Sequence, residues 1–310
     1  MPMHLTHELR ARGMGTSEIR RRVRTGELHP LRRGAFATEP DEGTARHLQL
    51  IRATLPSLAD GSVLSHVSAA VLHGLPVDER LLDRVTVTRP SKGGSWVGPQ
   101  LHRYRTPLAD SDVEEVDGLP RTVMARTVVD LARCGDLGMA VAAADAGLRT
   151  GVAREALDEQ LKAARRRHGS ARARVVVDLA DGRSESAGES VSRVAMWQLG
   201  MPTPELQFEV TIGGVRYRSD FAWPDLGVLG EFDGKVKYDR LLRPGESASD
   251  VVMREKRREA DLRAAGWWIV RWTWADAIKP ERLARLLRPA LERGHPQPAQ
   301  HRLRSGTSPA

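Results

Sequence analysis

Residues 204–223 read "PELQFEVTIGGVRYRSDFAW", two alternating runs joined by Gly213-Gly214. A glycine pair between such runs is a strong hairpin signal, because a tight two-residue turn needs positive φ at both central positions. An antiparallel pair of strands is therefore expected here. Its surroundings extend the pattern. Upstream, "SESAGESVSRVAMWQLG" is an amphipathic helix with Val191, Val194, Ala195 and Leu199 on one stripe and Gly200 as its stop. Downstream, "LGVLGEFDGKVKY" continues as a third strand, "ASDVVMREKRREADLRAAG" is a long basic helix, and "WWIVRWTW" is a fourth strand with a further helix behind it. Helix, three strands, helix, strand, helix predicts an α/β fold with a sheet flanked by helices.

The third strand carries an unusual face. Glu231, Asp233, Lys235 and Lys237 occupy alternate positions, so period-2 geometry points all four the same way. Asp220 lies near the end of the preceding strand among apolar neighbours, where a carboxylate is costly unless something cationic meets it. Antiparallel pairing brings Asp220 and Glu231 together. Clustered carboxylates repel, and a divalent cation with oxygen ligands relieves the repulsion, as Mg²⁺ does. A lysine beside it stabilises charge on a phosphate. Charge alternation of this kind also protects exposed edge strands from aggregation, and that reading stays open.

The front of the chain has its own rhythm. "LTHELRARGMG" reads as a short helix, and "TSEIRRRVRTG" as a second one with Thr16 or Ser17 as N-cap and Gly26 as the stop. Ile19 and Val23 give it a thin apolar stripe, and Arg20, Arg21, Arg22 and Arg24 cover the rest. "ELHPLRRGAFAT" follows as two short strands around the basic turn of Arg32 and Arg33. This is the order of a winged helix-turn-helix, whose second helix enters the major groove of DNA. A solvated basic hairpin is the alternative.

Between 45 and 150, "HLQLIRATLP" and "SHVSAAVLHGLP" read as helices, the latter with Ser65 as N-cap. "RVTVTRP" and "LHRYR" alternate like strands, and residues 121–151 read as two apolar helices. Arg126 and Asp130, four apart, look like a helix-surface or interhelical pair. His66, His73 and His102 stand singly, with no metal-binding spacing. Residues 151–183 suggest two short helices around a basic turn at Arg165–His168, and the Pro-, Gly- and Ser-rich end suggests a disordered tail.

Composition narrows the function classes. The 310 residues include 48 Lys and Arg against 40 Asp and Glu, a net charge of +8 that favours polyanionic partners. No apolar run approaches a membrane span and the N-terminus lacks a signal-peptide core. Cys134 is the single cysteine and reads as a small apolar residue, so no internal disulfide is possible and a cytoplasmic setting is expected. No membrane partner and no small-molecule cofactor are expected, and nothing indicates an oligomeric state.

Asp220, then "EFDGK" at 231–235, with Glu189 on the preceding helix, resembles the PD-(D/E)xK nuclease superfamily, and most nearly its branch related to the very-short-patch-repair endonuclease. That branch carries E-x-D-G-x-x-H, then a basic helix and an aromatic strand ending in R-[FW]. "EFDGKVK", "MREKRREADLRAAGW" and "IVRWTW" follow the pattern, with Lys237 where histidine is frequent. The chain from about 4 to 290 also resembles an actinobacterial architecture in which a winged helix similar to that of AbiEi-type antitoxins precedes such a domain. "HPLRRGAFAT", "LSHVSAAVLHGLP" and "ARTVVDLAR" carry the front half of that likeness.

The resemblance implies a restriction-endonuclease-like α/β domain with a mixed sheet at 184–292, after a winged helix-turn-helix at 1–40, an α+β middle domain at 41–150 and a helical connector at 151–183. Residues 293–310 form the tail. It implies Asp220 and Glu231 as ligands of Mg²⁺ or Mn²⁺, with Asp233 a further ligand or itself the second acid, and Lys235 and Glu189 completing the catalytic set. Lys237, Lys256 and Arg257 join Arg20, Arg21, Arg24, Arg32 and Arg33 as DNA contacts. The four tryptophans 267, 268, 272 and 274 suit core and sheet packing. Two functions follow: a metal-dependent endonuclease acting on DNA, or a non-cleaving, antitoxin-like regulator with a degenerate nuclease fold.

Overall fold

The computed structural model describes residues 3–39, 41–90, 94–234 and 247–294. It divides into two contact-dense units, Met1–Asp178 and Leu179–Ala310. In the first, strand β1 (Met3–Leu5) leads into helices α1 (Thr6–Ala11) and α2 (Thr16–Arg24), followed by β2 (His29–Arg32) and β3 (Ala35–Ala37). The strands form one sheet in the order β1-β3-β2, and Gly34 turns the hairpin at φ 84°. Leu9, Ile19 and Leu28 are buried together beneath α1 and α2. Gly15, and neither Thr16 nor Ser17, holds the N-cap position of α2, with no side-chain cap; the helix ends at Arg24, two residues before Gly26, which takes φ 76°.

Helix α3 (Gly43–Thr54) joins two cores. Ala53 packs with Leu31, Ala35 and Ala37 of the small sheet, and Leu50 and Ile51 pack on a second sheet. That sheet contains β4 (Val63–Leu64), β5 (Val85–Thr88), β6 (Trp96–Val97), β7 (Leu101–Tyr104), β8 (Val113–Val116) and β9 (Leu119–Thr122). The order is β6-β7-β5-β4-β9-β8, with β5 parallel to β7 and β4 parallel to β9. Helix α4 (His66–Leu72) enters between β4 and β5. Ser65 sits at its N-cap position, but its hydroxyl accepts from Thr88 Oγ1 at 2.8 Å and does not cap the helix. His66 takes φ 48° and stacks on Tyr104 at 3.5 Å, with His102 on the same ring at 3.9 Å, so these histidines are joined through a tyrosine.

Helices α5 (Met124–Cys134), α6 (Leu137–Arg149), α7 (Arg154–Ala163) and α8 (Ser170–Leu179) complete the unit. Arg126 and Asp130 on α5, expected as a helix-surface or interhelical pair, lie in the core, each 1% exposed. Asp112, distant in sequence, adds a second carboxylate at 2.8 Å from Arg126 and makes burial tolerable.

The second unit is a mixed α/β sheet with helices. Helix α9 (Ala187–Gln198) precedes β10 (Glu205–Ile212), β11 (Val215–Trp223) and β12 (Val228–Asp233); α10 (Ala248–Ala264), β13 (Trp268–Thr273), α11 (Trp274–Ala277) and α12 (Pro280–Arg293) follow. Gly213 and Gly214 turn the β10–β11 hairpin at φ 55° and 82°. The order is β10-β11-β12-β13, antiparallel except for the parallel β12–β13 pair. Phe208, Val210, Ala222 and Leu229 pack with Leu262 of α10 and Trp267. Trp272 is buried against Gly230, where any Cβ would lie 2.7 Å from the indole, and bonds Ser192 of α9. Trp267 and Trp272 are core as expected, while Trp268 and Trp274 are 47% and 41% exposed. Among the described residues no helix is long and apolar enough to cross a membrane.

Candidate active site

Strand β12 leaves the core at its C-terminal end: Val228 and Leu229 are buried, Glu231 is partly buried and Asp233 is exposed. Pairing of β12 with β11 aligns Gly230 with Phe221, which carries the neighbouring Asp220 to the backbone of β12. The Phe232 N–H donates to Asp220 Oδ2 at 2.9 Å. Burial pushes the Asp220 carboxyl up to about 7, and the charges of Glu189 and Glu231 push the same way; the Phe232 N–H and Arg218 oppose them. Arg218 is itself held by Glu185 at 2.8 Å. The sequence-predicted acids Glu189, Asp220 and Glu231 thus share one electrostatic neighbourhood.

Glu189 reaches it from α9. Ser186 caps that helix by accepting from the Glu189 N–H at 3.2 Å. The Glu189 carboxylate accepts from the Glu185 N–H at 2.9 Å, from Ser186 Oγ at 2.8 Å and from Gln207 Nε2 at 3.0 Å. Gln207 sits opposite Asp220 in the β10–β11 register, between the pairs Leu206–Phe221 and Phe208–Ser219. It adopts φ 52°, a left-handed conformation that costs a non-glycine residue about 1 kcal/mol and gathers at functional sites. Its Oε1 is buried without a partner among the described residues. Sequence reasoning missed Gln207, since nothing in "ELQFEV" marks a left-handed residue within a strand.

Glu231 is held differently. Arg271 stands directly across the parallel pair and donates from Nε to Glu231 Oε2 at 2.8 Å. Arg258 of α10 donates to Glu231 Oε1 and, at 3.0 Å, to the Arg218 carbonyl. Arg271 also bonds Glu255 at 2.7 Å and Glu259 at 2.5 Å on α10. Neither arginine was among the expected site residues, although the "IVRW" of the aromatic strand contains one of them. Both oxygens of Glu231 therefore meet guanidinium groups. Among the described residues no cluster of three or more His, Cys, Asp or Glu is placed to hold a metal ion. Asp233 stands exposed at the strand end and has no bond to Asp220 or Glu231 among the described residues. Lys235 and Lys237 lie outside the described residues.

The donor chemistry of Asp220, Glu231 and Glu189 is all hard oxygen, which suits Mg²⁺ or Mn²⁺. Burial first, and then the charges of Glu189 and Glu231, raise the Asp220 carboxyl, and a divalent ion would favour its charged form. The residues present fit such an ion through Asp220. Glu231 joins only by giving up an arginine.

The expected DNA contacts divide. Arg20, Arg24 and Arg33 are exposed, without ion-pair partners among the described residues, as are Lys256 and Arg257 on α10. Arg21 is clasped by Glu18 at 2.9 Å and Glu27 at 3.3 Å. Arg32 is partly buried and donates to Ser57 Oγ at 2.8 Å after α3.

No protein-family model matches the chain. A crystal structure of the RV2827C protein from Mycobacterium tuberculosis has a TM-score of 0.39 and 20% identity, covering 57% of this chain and 72% of that one. Two curated relatives, the uncharacterized proteins MT2308 of M. tuberculosis strain CDC 1551 and Rv2248 of strain H37Rv, are each 33% identical over 233 residues, 73% of this chain and 80% of theirs. The chain belongs to the family of these mycobacterial proteins.

Proposed function

We propose that the protein binds DNA through its front unit and hydrolyses phosphodiester bonds with a divalent ion in its rear unit. One observation carries this reading: a buried carboxyl, Asp220, raised to about 7 by burial and by Glu189 and Glu231, beside a strand end that opens to solvent. On this reading the rear unit is a PD-(D/E)xK nuclease fold related to the very-short-patch-repair branch. Its order of an acid-bearing helix, an antiparallel hairpin and a parallel fourth strand behind a basic helix supports that assignment. The front elements β1 to β3 with α1 and α2 support a winged helix like that of AbiEi-type antitoxins, with Arg20, Arg24 and Arg33 against phosphates.

Asp220 and Glu231 would hold Mg²⁺ or Mn²⁺, which supplies Lewis-acid stabilisation of charge on a phosphate. Glu189 fixes Gln207 beside Asp220 and keeps the local potential negative. Lys256 and Arg257 present positive charge on the exposed face of α10 to the nucleic-acid backbone. Supercoiled plasmid incubated with the protein and Mg²⁺ or Mn²⁺ is expected to be nicked, and Asp220→Asn to abolish nicking. Nicking that persists in Asp220→Asn refutes the assignment.

A second reading rests on Arg258 and Arg271, which already neutralise Glu231. In it the rear unit no longer cuts and the protein is a DNA-binding regulator. Salt-sensitive, sequence-selective DNA binding without nicking in either metal selects it.

A further inference from the structure

The front unit carries positive charge that its own ion pairs leave over. Arg126 is 1% exposed, and its Nε and Nη1 donate to Asp130 and Asp112 at 2.8 Å each. Its Nη2 is equally buried and meets no acceptor. Arg133 spends Nη1 on Asp130 at 3.1 Å and Nε on the His168 carbonyl at 3.0 Å. Arg172, on α8, keeps both Nε and Nη2 buried with no acceptor. Arg167, in the turn before α8, is partly buried and has no ion-pair partner among the described residues. Its charged form is disfavoured by burial and then by Arg126. Arg126, Arg133 and Arg167 share the field of two carboxylates, Asp112 and Asp130, and Arg172 acts on Cys134 at the end of α5.

A buried donor without an acceptor costs about 1–3 kcal/mol, more when it is charged, so three such N–H groups in one cluster need an explanation. The backbone is shaped to bring them together. Gly169 takes φ 80°, and a Cβ there would lie 2.1 Å from the Arg133 carbonyl, so only glycine lets the start of α8 meet the end of α5 this closely.

We propose that this cluster binds a tetrahedral dianion, an inorganic phosphate or a phosphate monoester, held by Arg126, Arg167 and Arg172. Three buried N–H groups without acceptors suit the several oxygens of a dianion better than the two of a carboxylate. The guanidinium fork fits pairs of phosphate oxygens. Arg167 and Arg172, each partly exposed, border the α7–α8 turn. The site is independent of the acids in the rear unit and of their proposed chemistry.

Calorimetric titration of the full chain with inorganic phosphate, against sodium chloride at equal ionic strength, tests it. Phosphate is expected to bind, and to raise the melting temperature by about 4 °C or more at saturating concentration. Arg172→Gln and Arg167→Gln are each expected to weaken binding about tenfold or more while the protein stays folded. Arg126 is unsuited to this test, because its removal also breaks two buried ion pairs. Titration with AMP and adenosine separates the sources: AMP tighter than phosphate assigns a nucleotide, and equal affinities assign free phosphate. The proposal is overturned if chloride reproduces the shift or if adenosine binds as well as AMP. It is also overturned if affinity survives both substitutions, or is lost instead in an Arg20→Gln, Arg24→Gln variant, which places the anion on α2.

Discussion

The two units leave different groups short of partners. In the front unit Arg126 is buried between Asp112 and Asp130, and N–H groups of Arg126 and Arg172 are left without acceptors. In the rear unit burial, and then the nearby Glu189 and Glu231, leave Asp220 a carboxyl that holds its proton to about pH 7. Charge left uncompensated inside a fold is expensive, and it is a better pointer to ligand chemistry than the overall balance of +8. On the readings proposed above, one chain offers a place for an anion and a place for a cation. The global charge would have foretold only the first.

Breaking the front cluster should have the largest effect. Arg126→Met leaves Asp112 and Asp130 without their shared cation, and a loss of about 3–5 kcal/mol is expected in denaturant unfolding. Gly169→Ala follows at about 2–3 kcal/mol, because it forces both an unfavourable φ and a collision with the Arg133 carbonyl.

Asp220→Asn should act in the other direction. The folded carboxyl holds its proton more tightly than the unfolded one, so wild-type stability falls as pH climbs from about 4 through about 7. The asparagine variant lacks that loss and should be more stable by about 2 kcal/mol near pH 8, the gap closing near pH 4. Melting curves across that range check it. Arg271→Gln removes one of the two cations on Glu231 and one anchor of α10. About 1 kcal/mol of stability should go, while the stabilisation gained from added Mn²⁺ rises. The smallest effect belongs to the surface. Arg20→Gln with Arg24→Gln should leave stability within about 0.5 kcal/mol and reduce the salt dependence of DNA binding by about two phosphate contacts.

The rear sheet was legible because its signals are local. Gly213-Gly214, the alternation on either side and the serine, glycine and charge cues at the helix ends all act within a few residues. The front sheet was legible only in part, with β5 and β7 anticipated and four other strands not. One omission had a signal: "VEEVDGLPRT" holds Asp117-Gly118, and both residues take positive φ, 53° and 72°, in the β8–β9 turn. Strands of two or three residues such as β1 and β4 carry too few positions for alternation to register. The acids of the rear site were readable from spacing, but their counter-ions were not. Arg258 and Arg271 reach Glu231 from 27 and 40 residues away, and Asp112 reaches Arg126 across 14, so burial and pairing arise only on folding.

The claim at the centre of this account is that Asp220, raised by burial and by Glu189 and Glu231, titrates near 7 and takes up a divalent cation. Its carboxyl carbon can be followed by NMR as pH is raised, with Asp220→Asn identifying the signal. The account predicts a midpoint near pH 7 without divalent ions and a clear fall in that midpoint when Mg²⁺ is added. A midpoint in the ordinary aspartate range, or one near 7 that Mg²⁺ leaves in place, contradicts it.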